Sequence, residues 1–262
     1  MNEVFVTTWN ELLEQLYKGS WNEALGRYRS SFAFRGLSDA SYDLMTSLMR
    51  LGGPYGDLER HLLRNFRKYA YQDVSVQDSI WHLLSIAAHH RLPTRLLDWT
   101  YSPFVALHFA TEDLSMYDRN GVVWCVDYVG TKELLPARLR QMLNDEGANV
   151  FTADLLRLAA STLYEFDNLA PEAFPIFFEP PSMDDRIVNQ HAFFSVMSNP
   201  AVRLDEWLTE HPSLFRRVII PAKLKWEVRD KLDQANITER VLFPGLDGLS
   251  HWLTRQYSPK RP

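Results

Sequence analysis

Residues 96–110, LLDWTYSPFVALHFA, constrain the fold more than any other stretch of the chain. The first five alternate, with Leu96, Asp98 and Thr100 on one side and Leu97 and Trp99 on the other, which is the period of a β-strand. Ser102-Pro103 then supplies an N-cap and a first-turn proline. Val105, Ala106 and Phe109 follow at helical spacing. A strand must therefore pass almost directly into a helix, with two polar side chains, Asp98 and Thr100, on one strand face just before the turn. Residues 121–128, GVVWCVDY, form a nearly continuous apolar run suited to a strand buried on both faces.

The remaining elements are read around these two. Thr8 and Glu11 fit a capping box ahead of Leu12, Leu13 and Leu16, which predicts a helix over 8–18. In SFAFRG, Phe32 and Phe34 share one strand face, Arg35 takes the other, and Gly36 frees the backbone to turn. A helix is predicted over 57–71, with Leu58, Leu62, Phe66 and Tyr69 on one face and Arg60, Arg64, Arg67 and Lys68 on another. A further helix over about 76–90 is stopped by Leu92-Pro93. Residues 131–168 read as mostly helical, and 131–175 as a candidate helical insertion. PEAFPIFFEPP has four prolines in eleven residues and reads as an irregular connection. RIVNQHAFFSV reads as a strand in which Arg186, Val188, Gln190, Ala192 and Phe194 share a face. A strand over 215–220, a helix over 223–234 and a short helix over 246–255 complete the chain. No repeat or long linker interrupts it, so the expectation is one α+β domain over 1–262 with its core at about 30–250.

Composition excludes more than it assigns. Hydrophobic residues make up 46% of the 262, enough for a substantial core, yet no apolar run approaches the ~20 residues that span a bilayer. The N-terminus has no basic segment followed by an apolar one, so no secretory signal and no membrane partner are expected, and the cytoplasm is the expected location. The single cysteine, Cys125, rules out an internal disulfide framework and reads as an inert core thiol. A net charge of −5 argues against binding nucleic acid through bulk charge. The stripe Arg60, Arg64, Arg67 and Lys68 reads first as a solvated helix face, and otherwise as a local patch for phosphate or an acidic partner. His89-His90 lacks further ligands at metal spacing, and no metal is expected.

Three polar features stand out: Arg35 on its aromatic strand, Asp98 with Thr100, and Gln190 inside RIVNQHAFF. Arg35 and Asp98 are open to two readings, a structural ion pair or part of a cleft in which a guanidinium grips a diphosphate or carboxylate. These segments resemble the FRG domain family, on the triplet Phe34-Arg35-Gly36, on Tyr42, Leu44, Ser47, Leu48 and Arg50, and most strongly on HHRLPTRLLDWTYSPFVALHFA. RIVNQHAFF, RRVIIP and LFPGLDGL extend the likeness, and Ala192 stands where that family is expected to carry glycine.

The order of elements is also distantly similar to the ADP-ribosyltransferase fold, with mixed and antiparallel strands flanked by helices. That likeness implies NAD as substrate, held by Arg35, Asp98, Thr100 and His90, with Arg35 and Gln190 acting on the reacting sugar. It further implies a toxin of a toxin–antitoxin or antiphage module, an RNA, DNA or protein acceptor, and a neutralising or chaperone partner. The third position of such sites carries a carboxylate, and here it is the neutral Gln190. Catalysis is then weaker, borrows a nearby acid (Glu179, Asp184 or Asp185), or is absent; the alternative readings are an NAD hydrolase and a non-catalytic nucleotide- or protein-binding module.

Overall fold

A computed structural model describes residues 2–70, 79–181 and 185–259. The strands are β1 (Glu3–Phe5), β2 (Trp21–Asn22), β3 (Arg27–Tyr28), β4 (Phe32–Leu37), β5 (Leu96–Thr100), β6 (Gly121–Asp127), β7 (Phe151–Thr152), β8 (Pro175–Glu179), β9 (Ala192–Met197) and β10 (Phe215–Ile220). Of the helices, α1 (Trp9–Tyr17), α2 (Tyr55–Tyr69), α3 (Ile80–His89) and α4 (Pro103–Thr111) lie in the first half of the chain. Then come α5 (Tyr128–Glu133), α6 (Ala137–Asp145), α7 (Ala153–Ala159), α8 (Leu163–Asp167), α9 (Asp185–Asn189) and α10 (Leu204–Glu210). The last three are α11 (Lys225–Gln234), α12 (Glu239–Leu242) and α13 (Leu246–Gln256). The architecture is α+β, and no helix of the described residues is long and apolar enough to cross a membrane.

Local chemistry sets the element ends. The Thr8 hydroxyl caps α1 by accepting from Glu11 N, while the Glu11 carboxylate accepts from Thr7 N rather than from Thr8. Ser79 caps α3, so the helix starts at Ile80; the expected start at 76 lies outside the described residues. Ser102 Oγ accepts from Val105 N at 3.4 Å and Pro103 fills the first turn of α4.

Eight strands form one sheet in the order β1-β10-β6-β4-β5-β9-β8-β7, and β2 with β3 makes a separate ribbon. β6 is interior and buried along its length, as its apolar run requires. β4 pairs with β6 at every residue from Phe32 to Leu37, and β5 pairs with β9 at every residue from Leu96 to Thr100. Among the described residues, the only register pair between β4 and β5 is Phe34 with Thr100. The sheet therefore opens there into two four-stranded halves that share one rung. On the β4 half, α1, α4 and α11 bury Leu12, Leu16, Leu107 and Val228 against Phe34, Val123 and Cys125. On the β5 half, α2, α3, α6 and α7 bury Leu63, Trp81, Leu139 and Leu156 against Leu96, Phe178 and Phe194. A third cluster joins both halves through Trp124, Leu97, Trp99 and Phe193, with Leu204, Trp207 and Leu208 of α10.

The structure corrects three expectations. The proline-rich 171–181 stretch contains strand β8, buried and paired with β9 from Pro175 to Phe178. Pro171, Pro180 and Pro181 flank the ladder, and Pro175 takes its first position, where a missing N–H is tolerated. RIVNQHAFF is not one strand: Asp185–Asn189 is the helical turn α9, His191 sits at φ 46°, and β9 begins only at Ala192. The cause is the partner strand, since β5 ends at Thr100 opposite Ala192 and has no further rung to offer. On α2, the buried residues are Glu59 and Leu63, whereas Tyr69 is 81% exposed. Glu59 turns inward because Arg95 is buried beneath it. Arg95 N and Nε both donate to the Glu59 carboxylate, and its Nη1 and Nη2 donate to Asp167. Two buried charges so satisfied fix α2 and α8 to the start of β5.

Candidate functional site

Each residue of the Phe34-Arg35-Gly36 triplet has a separate physical task. Phe34 is buried under α4. A Cβ on Gly36 would lie 1.8 Å from Ala106 O, so only glycine lets β4 approach α4 this closely. Arg35, between them, reaches into the opening between β4 and β5, where its Nη1 donates to Asp98 O at 2.6 Å. The Asp98 carboxylate is 3.8 Å away with 76% of its side chain exposed. A backbone carbonyl, more than the carboxylate, thus holds the guanidinium, and the ion pair alone does not account for Arg35. Its Nε is buried and has no hydrogen-bond partner among the described residues. Burial draws the Arg35 guanidinium below its ordinary value, Asp98 opposes that shift and Arg50 adds to it. It remains a cation at neutral pH.

Thr100 and Gln190 close the other wall. The Thr100 hydroxyl donates to Gln190 O at 2.6 Å and accepts from Ser102 N at 3.0 Å, which ties the end of β5 to the turn after α9. The Gln190 amide Nε2 donates to Leu242 O at 2.9 Å, and Asn189 Nδ2 donates to Val241 O at 2.8 Å. The Arg186 guanidinium lies over the Phe243 ring, 5.1 Å from its centroid. A Cβ on Gly248 would lie 1.9 Å from Phe243 O, so this glycine lets α13 close over that carbonyl. The LFPGLDGL stretch is therefore the brace that holds Arg186 and Gln190 in place.

Arg35, Asp98, Thr100 and Gln190 line one cleft of about 270 Å³, together with Arg50 and Arg186. A second hollow of about 240 Å³ shares Asp98, Arg186, Gln190 and Ala192 with it and adds Ser47, His89 and Thr94. The two meet at Asp98 and Gln190, so a ligand longer than either can lie across that junction. Three guanidiniums face two carboxylates, Asp98 and Glu112, in the first hollow. Planar forks of this kind match the oxygens of a diphosphate. Among the described residues the Arg50 side chain has no hydrogen-bonded or ion-paired partner of its own. A hollow of about 400 Å³ along α2, walled by Leu58, Leu62, Phe66 and Leu92, contains none of these groups.

Other expected residues lie elsewhere. His90 caps the end of α3, is exposed, and packs beside Phe66 and His89; it does not line the cleft, and His89 lines the second hollow instead. Arg60 pairs with Asp57 at 2.7 Å, and Arg64, Arg67 and Lys68 are exposed on α2 away from the cleft. Glu179 accepts from Tyr101 Oη at 2.9 Å, and Asp185 is exposed on α9; neither lines the cleft. Asp184 lies outside the described residues. Burial pushes the Cys125 thiol up to about 12, as an inert core thiol requires. Arg50, Arg186 and Glu112 also line the cleft, and the sequence alone gives none of them a role. Arg50 and Arg186 both stand in quoted motifs, while Glu112 is signalled only by its i, i+4 spacing from His108.

Residues 30–119 match the family model of the FRG domain. The chain carries an FRG domain. The matched FRG segment brings Arg35, Arg50, Asp98, Thr100 and Glu112 to the cleft, while Arg186 and Gln190 come from the chain beyond it. No curated protein and no solved structure matches the chain.

Proposed function

We propose that the cleft between β4 and β5 binds NAD and that the protein transfers the ADP-ribose unit to an acceptor. The observation that carries this reading is the convergence of Arg35, Thr100 and Gln190 with Arg50 and Arg186 on one opening of the sheet. Arg35 and Arg50 hold the diphosphate, each contact being worth about 1.5–3 kcal/mol as a charge-assisted hydrogen bond. The nicotinamide ribose then lies at the junction of the two hollows, beside Asp98, Thr100 and Gln190. The acceptor nucleophile bonds to the ribose C1′ as the bond from C1′ to the pyridinium nitrogen breaks. The bonding pair passes to that nitrogen and neutral nicotinamide leaves. Asp98 is placed to stabilise the positive charge that develops on the sugar, a role that the neutral Gln190 cannot take.

The biological setting on this reading is a toxin with a neutralising partner. The acceptor is RNA, DNA or protein, and the basic stripe of α2 is the first surface on which to seek nucleic-acid contact. A second reading, a nucleotide-binding module without turnover, is favoured by one observation: the Gln190 amide is committed to Leu242 O.

NAD labelled in the adenosine moiety, incubated with the protein and cell extract, separates the two. Transfer of label with equimolar nicotinamide release, both lost in Arg35→Ala, supports the transferase. Free ADP-ribose without labelled acceptor indicates a hydrolase. Absence of nicotinamide release from the wild-type protein overturns the enzymatic reading.

A further inference from the structure

Glu112 follows α4 directly, lines the cleft, and keeps 41% of its side chain exposed. One helical turn earlier, the His108 side chain is wholly buried. His108 Nδ1 lies 2.8 Å from Arg229 Nη1. A guanidinium has no acceptor, so Arg229 donates and Nδ1 must present its lone pair. The neutral ring then carries its proton on Nε2. Among the described residues that buried atom has no hydrogen-bond partner, and the nearest carboxylate oxygen, Glu112 Oε2, is 3.6 Å away. A small rotation of the exposed Glu112 side chain closes this gap to a charge-assisted hydrogen bond.

The ring is fixed from behind. Arg229 also donates to Ile237 O and lies 3.5 Å from Asp233, while Arg255 grips Asp233 and Glu239 through four hydrogen bonds. Phe243 packs against His108, Phe109 and the Arg186 guanidinium, so one ring touches both this relay and the wall of the cleft. Burial and Arg229 keep the imidazole below its ordinary value, with Glu112 and Glu239 acting the other way.

We propose that Glu112 is a catalytic residue that takes the proton from the attacking acceptor, and that His108, locked by Arg229 with its proton on Nε2, is its positioning residue. This rests on the transferase reading above and adds a proton acceptor to the charge stabilisation assigned to Asp98. As the acceptor oxygen or nitrogen bonds to C1′, its proton passes to the Glu112 carboxylate, and the C1′–N pair leaves with nicotinamide. The carboxylic acid then returns its proton to water. The charged and titratable groups around the pair are Arg229 and Asp233 of α11, Glu239 of α12, Arg255 of α13 and Tyr117 beyond α4. On the cleft side they are Arg35, Arg50, Arg186 and Asp98.

The test combines nicotinamide-release kinetics, NAD calorimetry and a nitrogen-15 spectrum of the histidines. Glu112→Gln should lose about 10²–10⁴-fold in kcat, the span of a general base, with NAD affinity within about threefold of wild type. His108→Gln, which keeps a terminal N–H, should retain most activity. His108→Ala should lose more, because the carboxylate loses the N–H that orients it. The spectrum should show His108 neutral with its proton on Nε2. Wild-type turnover with Glu112→Gln within about threefold in kcat overturns this inference and leaves the transferase reading standing. A wild-type protein without turnover overturns both, and a proton on Nδ1 overturns the positioning role even where Glu112 proves essential.

Discussion

Gly36→Ala is the perturbation whose effect the geometry fixes most tightly. The added Cβ would lie 1.8 Å from Ala106 O, 2.7 Å from Ala110 N and 2.8 Å from Ala106 C, all backbone atoms of α4. Ordinary contact begins near 3.4 Å, so strand and helix must part by about 1.6 Å. No side-chain rotation relieves a clash with main chain, and parting them loosens Phe34, Ala106 and Ala110 in the core. Overpacking usually costs about 1–3 kcal/mol, and rigid neighbours on both sides place this variant at about 3 kcal/mol or more. For a chain of this length that lowers Tm by roughly 6–12 °C in calorimetry. Two controls isolate the cause. Ala106→Gly should not rescue the variant, because the obstructing atom is a carbonyl oxygen. Gly56→Ala on α2, where a Cβ meets nothing within 4 Å, should be neutral or stabilise by about 0.5 kcal/mol. A Gly36→Ala protein within about 1 kcal/mol of wild type would refute the close-approach argument.

The other expectations concern charge. Gln190→Glu should not create a better enzyme: a carboxylate oxygen would face Leu242 O where an amide now donates, costing about 1–3 kcal/mol in urea unfolding. A fully stable, faster Glu variant would show that the amide is not tied as described. Glu59→Ala should destabilise by about 3 kcal/mol, since Arg95 stays buried with only Asp167 as its carboxylate partner, and a loss under about 1 kcal/mol would contradict that. Burial raises the Glu239 carboxyl, but hydrogen bonds from Arg255 outweigh it and hold it at about 2; Ser41 N and Arg119 hold Asp39 at about 2 as well. Both folded values lie below the unfolded ones, so the stability they lend is complete above about pH 4.5 and is lost as pH falls through 2. Arg255→Gln should flatten that loss in thermal melts from pH 5 to 2, and an unchanged slope would refute the assignment.

Much of this was readable from the residues because the signals are local. The alternation of 96–100, the Ser102-Pro103 start of α4 and the apolar run of β6 each depend on neighbours in sequence. Arg35, Asp98, Thr100 and Gln190 also meet in one cleft. What failed was decided at a distance. Gln190 leaves the strand because its partner β5 ends at Thr100, 90 residues earlier. Glu59 turns inward because of Arg95, 36 residues away. The 171–181 stretch holds a strand because β9 lies ready to pair with it, whatever its proline content. His90 carries no local sign that it faces Phe66 while His89 faces the hollow. Glu112 is not legible as a site residue because its neighbour, His108, is a buried histidine whose proton position depends on Arg229, 121 residues further on.

Calorimetric titration of ADP-ribose into the wild-type protein and Arg35→Ala tests the central claim most directly, because it asks for binding without requiring turnover. The account predicts a single site in the wild-type protein and a loss of affinity of about tenfold or more in the variant, the value of one charge-assisted diphosphate contact. No heat of binding in the wild-type protein, or equal affinity in both, would contradict the assignment of this cleft to a dinucleotide.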